Sequence, residues 1–301
     1  MSLDFNDKVV VVTGAGNGLG RSHALLFAAL GARVVVNDLG GSGTGEGSDA
    51  NVADSVVAEI KASGADAVAN PDSVTNGDKI IQCAMDHFGQ VDIVINNAGI
   101  LRDKSFHKMS DDDWDLVYQV HLQGAFKVSR AAFPYMRDQA YGRFVMTTSA
   151  AGIYGNFGQA NYSAAKLALH GQSQTIAIEG RSKNINSNTI GPVAASRMMG
   201  TVMTDDAMEL LKPECVSPLV AWLSHETCNA TGELFEVGAG WMSQVRWQRS
   251  QGAYFDPKGF SIDDVANAWD IVKDFSDPIY PSSIGLTFKA IQGNPHLNDD
   301  I

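Results

Sequence analysis

Residues 8–14 (KVVVVTG), 32–38 (ARVVVND) and 91–97 (VDIVINN) contain unbroken runs of Val and Ile, with no alternation of polar and apolar positions. A strand wetted on one face alternates; a strand buried on both faces does not. These runs therefore predict strands covered by helices on both sides, as in a parallel sheet built from βαβ crossovers. Further strand candidates are residues 65–70, 143–149, 185–191 and 233–238. The expected fold is α/β, a doubly wound parallel sheet of about seven strands. The alternation ends near Gly240. Beyond it, Ile262, Val265, Trp269 and Val272 share one helical face, and Ser261 with Asp264 has the spacing of a capping box. The reading is one domain over residues 1–240 and a short helical C-terminal extension over 241–301, ending in a polar tail.

Composition narrows the function classes. A net charge of -12 argues against nucleic acid as a partner. Cys83, Cys215 and Cys228 are far apart and have neither metal-ligand nor disulfide spacing, so no metal is expected. No apolar run reaches the length of a membrane span. The first residues, MSLDFNDK, are unlike a secretory signal, and the final LNDDI is not a tripeptide of the Ser-Lys-Leu kind.

The segment VVVVTGAGNGLGRSHALLF reads as strand, glycine turn and helix. Gly14, Gly18 and Gly20 permit a tight turn and a close approach of backbone to a diphosphate, with the N–H groups and positive dipole end of a helix behind it. Gly14, Asn17, Gly18, Leu19 and Gly20 are accordingly candidate dinucleotide contacts in a Rossmann-type arrangement. Asp38 ends the second strand. There a carboxylate accepts from ribose hydroxyls and repels a 2′-phosphate, which favours NAD over NADP. The following LGGSGTGEGSDAN offers no Arg or Lys to receive such a phosphate.

In QANYSAAKLALHG, Tyr162 and Lys166 stand four apart in a helical pattern, hence on one face. Alone, this pair is as compatible with an exposed helix surface as with catalysis. A free phenol is a poor base at neutral pH, but a neighbouring cation favours the phenolate. Ser149 ends a strand at the carboxyl edge of the sheet, where ligands of open α/β folds bind.

TGAGNGLG, NNAG (96–99), Ser149 and YSAAK together resemble the short-chain dehydrogenase/reductase family over residues 5–240. That resemblance implies that Tyr162 is the acid/base. It makes Lys166 a ligand of the nicotinamide ribose that also lowers the tyrosine pKa, and gives the substrate oxygen to Ser149. It also implies cofactor contacts at Asp72, Ser73 and Val74, at Asn97, Ala98 and Gly99, and at Pro192, Ala194, Ala195, Ser196 and Arg197. The family has Pro-Gly where this chain has Pro192-Val193. It has Asn, part of a water-linked proton path, where this chain has His121; imidazole serves such a path, or is simply a packed helix residue.

A narrower set of segments, VVVNDLGG, NNAGILRDKSF, GIYGNFGQANYSAAK, PVAASRM and LFEVGAGWMSQVRWQRS, resembles the (3R)-hydroxyacyl-CoA dehydrogenase unit of type 2 peroxisomal multifunctional enzymes. This implies an NAD-dependent dehydrogenase of fatty acyl-CoA β-oxidation, a homodimer and a peroxisomal location, with the cytoplasm as the alternative. It also implies possible fusion to hydratase or sterol-carrier-like domains. Other readings are a hydroxysteroid dehydrogenase or 3-oxoacyl reductase on the same scaffold, and a non-catalytic NAD-binding regulator. The Met-rich RMMGTVMTDDAMELL is either core packing or a lid over an acyl chain. Arg102, Lys104, Arg246 and Arg249 are either a basic rim for the CoA phosphates or ordinary surface charges.

Overall fold

The computed structural model describes residues 3–194 and 210–297. It divides into two compact units, Met1–Gln244 and Val245–Ile301. The first is built on strands β1 (Val9–Thr13), β2 (Arg33–Asn37), β3 (Ala67–Asn70), β4 (Ile93–Asn96), β5 (Gly142–Thr147), β6 (Ile185–Pro192), β7 (Leu234–Gly238) and β8 (Trp241–Val245). Their order in the sheet is β3-β2-β1-β4-β5-β6-β7-β8, and β1 to β7 pair in parallel. Among the described residues the sheet has eight strands, against about seven expected.

The unbroken valine runs have a direct structural cause. Val10, Val12, Val34, Val36, Ile93 and Ile95 join one apolar layer, while Val9, Val11, Val35 and Val94 join the other. Helices α1 (Gly18–Ala29) and α2 (Asn51–Ala62) and a later helix, Ser217–Ser224 (α8), cover the first layer. Helices α3 (Gly77–Phe88), α5 (Gly124–Gln139) and α7 (Ala160–Gly180) cover the second. Each fully buried Val contributes about 2 kcal/mol of transfer free energy, so the two layers together supply the main drive for closing the sheet. Between α3 and α5 lie α4 (Asp111–Tyr118) and a single π-helical turn, Gln119–Gln123; α6 (Ala150–Tyr154) follows β5.

Strand β8 was read as part of the extension, because the β/α rhythm stops before it. It belongs to a hairpin: Ala239 and Gly240 both have left-handed φ values, 48° and 79°, the backbone that two-residue hairpin turns of the I′ type require. The first unit therefore runs past Gly240. The second unit contains α9 (Ile262–Asn267), α10 (Trp269–Val272) and α11 (Gly285–Gln292). Ser261 and Asp264 form the reciprocal capping box that their spacing suggests. No described helix is long and apolar enough to cross a membrane.

Because a Cβ at Gly240 would meet open space, Gly240→Val should cost only its left-handed backbone, about 1–2 kcal/mol. The expected outcome is a Tm lowered by a few degrees in thermal unfolding, with dinucleotide affinity unchanged. An unchanged Tm would contradict the hairpin.

Candidate active site

Strand order reverses between β1 and β4, and the loops leaving both strands open a crevice at the carboxyl edge of the sheet. Gly14 and Gly18 take left-handed φ values of 63° and 52°. A Cβ at Gly20 would run into the Gly14 carbonyl, so this glycine lets α1 pack on the loop; at Gly18 the space is open. Asn17 caps α1 without a side-chain hydrogen bond, which leaves the first N–H groups of the helix free of a side-chain acceptor. Asp38 directly follows β2, beside this loop. Its Oδ2 accepts from the Gly16 N–H at 2.8 Å and its Oδ1 from the Gly40 N–H at 2.7 Å. Glycine loop, helix N-terminus and carboxylate together fit a dinucleotide, with Leu19 packed partly buried against the core behind them.

The next strand ends carry the other expected contacts. Asn97 Nδ2 donates to the carbonyls of Thr13 and Gly14 at 3.0 and 3.1 Å, and the Ala98 N–H donates to Thr13 Oγ1 at 3.1 Å. These bonds lock the β4 exit to the glycine loop. After β3, Asp72 Oδ2 accepts from Asn70 at 3.1 Å, and Ser73 caps a short turn through the Thr75 N–H. Val74 is buried where a Cβ on Gly124 would strike it. After β6, Pro192 and Ala194 are half-buried. The Val193 N–H donates to the Val237 carbonyl at 2.8 Å, an extended pairing that does not need glycine. Ala195, Ser196, Arg197 and almost all of the Met-rich segment lie outside the described residues.

The reactive groups come from β5 and α7. Ser149 stands as N-cap of α6, its Oγ accepting from the Ala151 N–H at 3.2 Å. Burial raises the Tyr162 pKa, the nearby Ser149 hydroxyl opposes the rise, and the Asp103 carboxylate adds to it. Lys166 is buried, 5.5 Å from the centre of the Tyr162 ring, and its Nζ donates to the Thr147 carbonyl at 2.6 Å. Burial lowers its pKa to about 7. The expectation was of an ammonium that pulls the phenol down. Here the lysine sits in place for that role, but burial has weakened the cation itself.

His121 occupies the π turn between α4 and α5. Its ring meets the Tyr162 ring edge-on at 5.2 Å. Nε2 lies 2.8 Å from the Ile100 carbonyl and 3.0 Å from the Ile100 N–H, so it makes one of these bonds in each tautomer. Nδ1 is buried with no hydrogen-bond partner among the described residues. Gly99 makes room for the ring, since a Cβ there would strike it. Burial, with the Lys166 charge second, lowers the His121 pKa from 6.5 to about 3; the Ile100 bond works the other way. These Nε2 contacts tie the ring to the Ile100 backbone at the β4 exit.

Residues that sequence spacing did not reveal complete the site. Asn161 Nδ2 donates to the Arg102 and Asp113 carbonyls at 3.1 and 3.0 Å, and its Oδ1 accepts from the Tyr162 N–H at 2.8 Å. Gln159 donates to Asp103 at 2.8 Å. Only adjacency to Tyr162 hinted at Asn161. Of the four cations considered for a basic rim, Arg102 is paired with Asp113 at 3.4 Å. Arg246 covers the Tyr280 ring at 3.8 Å, and Arg249 donates to the Leu286 carbonyl at 3.3 Å.

The sequence profile described as short chain dehydrogenase matches residues 8–208. The chain belongs to the short-chain dehydrogenase family. It is 58% identical over 291 residues to "Peroxisomal multifunctional enzyme A" of Dictyostelium discoideum, covering 97% of this chain and 66% of that protein. The structure of full-length peroxisomal multifunctional enzyme type 2 from Drosophila melanogaster superposes with a TM-score of 0.83 at 42% identity, over 96% of this chain and 49% of that one. A 7α-hydroxysteroid dehydrogenase complexed with NADH and 7-oxo glycochenodeoxycholic acid superposes with a TM-score of 0.70 at 26% identity, over 79% and 95% of the two chains. The chain thus spans under two thirds of the Dictyostelium relative and about half of the Drosophila one.

The lowered His121 value sets a pH dependence of stability. A histidine kept neutral in the fold takes up its proton more readily when unfolded. Its contribution is therefore full above about pH 6.5 and is lost as pH falls from there towards about 3. His23, buried on α1 and likewise lowered to about 3, acts in the same direction. The expected outcome is a wild-type Tm that falls across this window and a His121→Asn protein whose Tm falls less steeply. Parallel Tm-against-pH curves for the two proteins would contradict a buried neutral His121.

Proposed function

We propose that this chain oxidises (3R)-3-hydroxyacyl-CoA to 3-oxoacyl-CoA with NAD, as a step of fatty acid β-oxidation. The observation that carries the reading is the Ser149–Tyr162–Lys166 cluster, set beside a glycine loop closed by Asp38. The likeness to peroxisomal multifunctional enzymes over nearly the whole chain supports the substrate class.

The bound dinucleotide supplies the hydride acceptor. Ser149 Oγ holds the substrate hydroxyl. Tyr162, as phenolate, takes the hydroxyl proton as the C3–H bond breaks and a carbonyl forms. Lys166 favours that phenolate when it carries its proton and gives the cofactor ribose a donor. His121 acts as a positioning residue that fixes the β4 exit under the Tyr162 ring. Asp38 selects NAD by accepting from the ribose and opposing a 2′-phosphate. Asn17, Leu19, Asp72, Ser73, Val74, residues 97–99, Pro192 and Ala194 would line the cofactor.

The proposal extends to a homodimer, supported by the exposed Trp114, Tyr118, Phe126 and Tyr135 on α4 and α5. It extends also to a peroxisomal setting, supported by the names of the relatives, and to hydratase or sterol-carrier-like domains in a longer protein.

The test is turnover with NAD on a (3R)-hydroxyacyl-CoA, its (3S) epimer and a steroid alcohol, for wild type and Tyr162→Phe. The wild type should turn over the (3R) substrate far faster than the other two. Tyr162→Phe should lose at least about 100-fold in kcat, the usual scale of general-base catalysis, while still binding NAD. Equal rates on both epimers would contradict the substrate reading. Near-wild-type turnover by Tyr162→Phe would contradict the chemistry.

A further inference from the structure

Residues 39–49 have the composition of a slack glycine loop, yet they form a closed Ω-loop. The Asp49 N–H donates to the Leu39 carbonyl at 3.0 Å and closes the neck. The tip bonds to itself, with the Ser42 N–H on the Glu46 carbonyl at 2.8 Å and the Glu46 N–H on Ser42 Oγ at 3.1 Å. Asp38 stands at the foot of the loop, where its carboxylate already holds Gly16 and Gly40.

The tip docks on the segment that leaves β4. The Leu101 N–H donates to the Gly43 carbonyl at 2.9 Å, and Arg102 Nε donates to the Thr44 carbonyl at 2.9 Å. The rest of the guanidinium lies 3.4 Å from Asp113 on α4 and 3.7 Å from Glu46 on the loop itself. Gly45 approaches so closely that a Cβ there would come within 3.0 Å of Ile100 Cδ1. On its other side the same segment is held by the catalytic helix, through Asn161 on the Arg102 carbonyl at 3.1 Å. Arg102 is thus the one side chain in this contact that grips the loop, α4 and, through its own backbone, the residue next to Tyr162. Its planar fork donates to two acceptors, Thr44 and Asp113, while staying in ion-pair reach of Glu46, which a lysine point charge does not do.

We propose that Arg102 is a positioning residue that clasps the 39–49 loop over the adenosine end of the dinucleotide site and ties it to the base of the catalytic helix. This rests on the reading of Asp38 as the ribose-binding carboxylate. The side chain holds the loop, whereas the backbone carbonyl holds Asn161. Removing the side chain therefore loosens the cofactor site and leaves Tyr162 seated. The signature is a split: weaker NAD binding with kcat at saturating NAD preserved. A general loss of structure would lower both.

The test uses Arg102→Met and Arg102→Lys in the full chain, with two readouts. One is the NAD dissociation constant beside kcat. The other is the rate at which a glutamate-specific protease cuts after Glu46 in the dinucleotide-free protein, followed by mass. Arg102→Met should weaken NAD by about tenfold, the scale of one lost charge-assisted hydrogen bond, with kcat within about twofold of wild type. It should also be cut faster at Glu46. Arg102→Lys should fall between the two proteins in both readouts, and it carries the test should the Met variant fail to fold. A folded variant cut at Glu46 at the wild-type rate, or holding NAD with wild-type affinity, overturns the clasp, as does a loss confined to kcat. Should wild type bind no NAD, the cofactor reading fails, while the Glu46 cleavage rate still decides whether Arg102 holds the loop.

Discussion

Burial of the central strands on both faces is the constraint on which the rest of this structure depends. Val9 to Val12 alternate between two apolar layers, so neither face of the sheet is left for solvent. Both layers need helices, and parallel neighbours need crossovers to carry them. Every crossover then leaves its strand at the same edge. Gly14, Asp38, Asp72, Asn97 and Ser149 are gathered at that edge because each follows the carboxyl end of a strand. The functional site is a consequence of the packing solution, placed where the backbone of several strands runs out of partners.

Burial around Tyr162 favours neutral forms. Lys166 is pushed towards neutrality, the Tyr162 phenol is held protonated and His121 is held deprotonated, with burial the leading cause in each case. A pocket of this kind stores little charge at rest. It becomes responsive when a cation or a hydrogen-bonding alcohol enters, because a low-dielectric surrounding magnifies each new interaction. The backbone supplies the fixed points: the Thr147 carbonyl for Lys166, and both polar groups of Ile100 for His121.

Much of this was legible in the sequence, for identifiable reasons. Continuous valine runs announced two-sided burial, and the position of the glycines announced a tight turn between strand and helix. The four-residue spacing of Tyr162 and Lys166 gave a shared face, though not the depth that lowers the lysine. Strand β8 was missed because its turn signal, Gly240, coincided with the end of the β/α rhythm. The Arg102 contacts were missed because they join residues distant in sequence, Thr44, Asp113 and Asn161, which no local pattern relates. His121 was noticed as a departure from its family. Its pinned Nε2 and partnerless Nδ1 depend on a π turn and on the absence of a Cβ at Gly99, neither of which spacing discloses.

The central claim is that the Tyr162 phenol is the base and that burial holds it protonated until it is needed. Single-turnover hydride transfer, followed by nicotinamide absorbance as a function of pH, measures this directly. A phenol raised by burial must lose its proton before it can act, so the wild-type rate should show an acid limb along which it climbs with pH. In Tyr162→Phe the residual rate should show no such limb. A wild-type rate independent of pH, or the same limb surviving in Tyr162→Phe, would contradict the assignment.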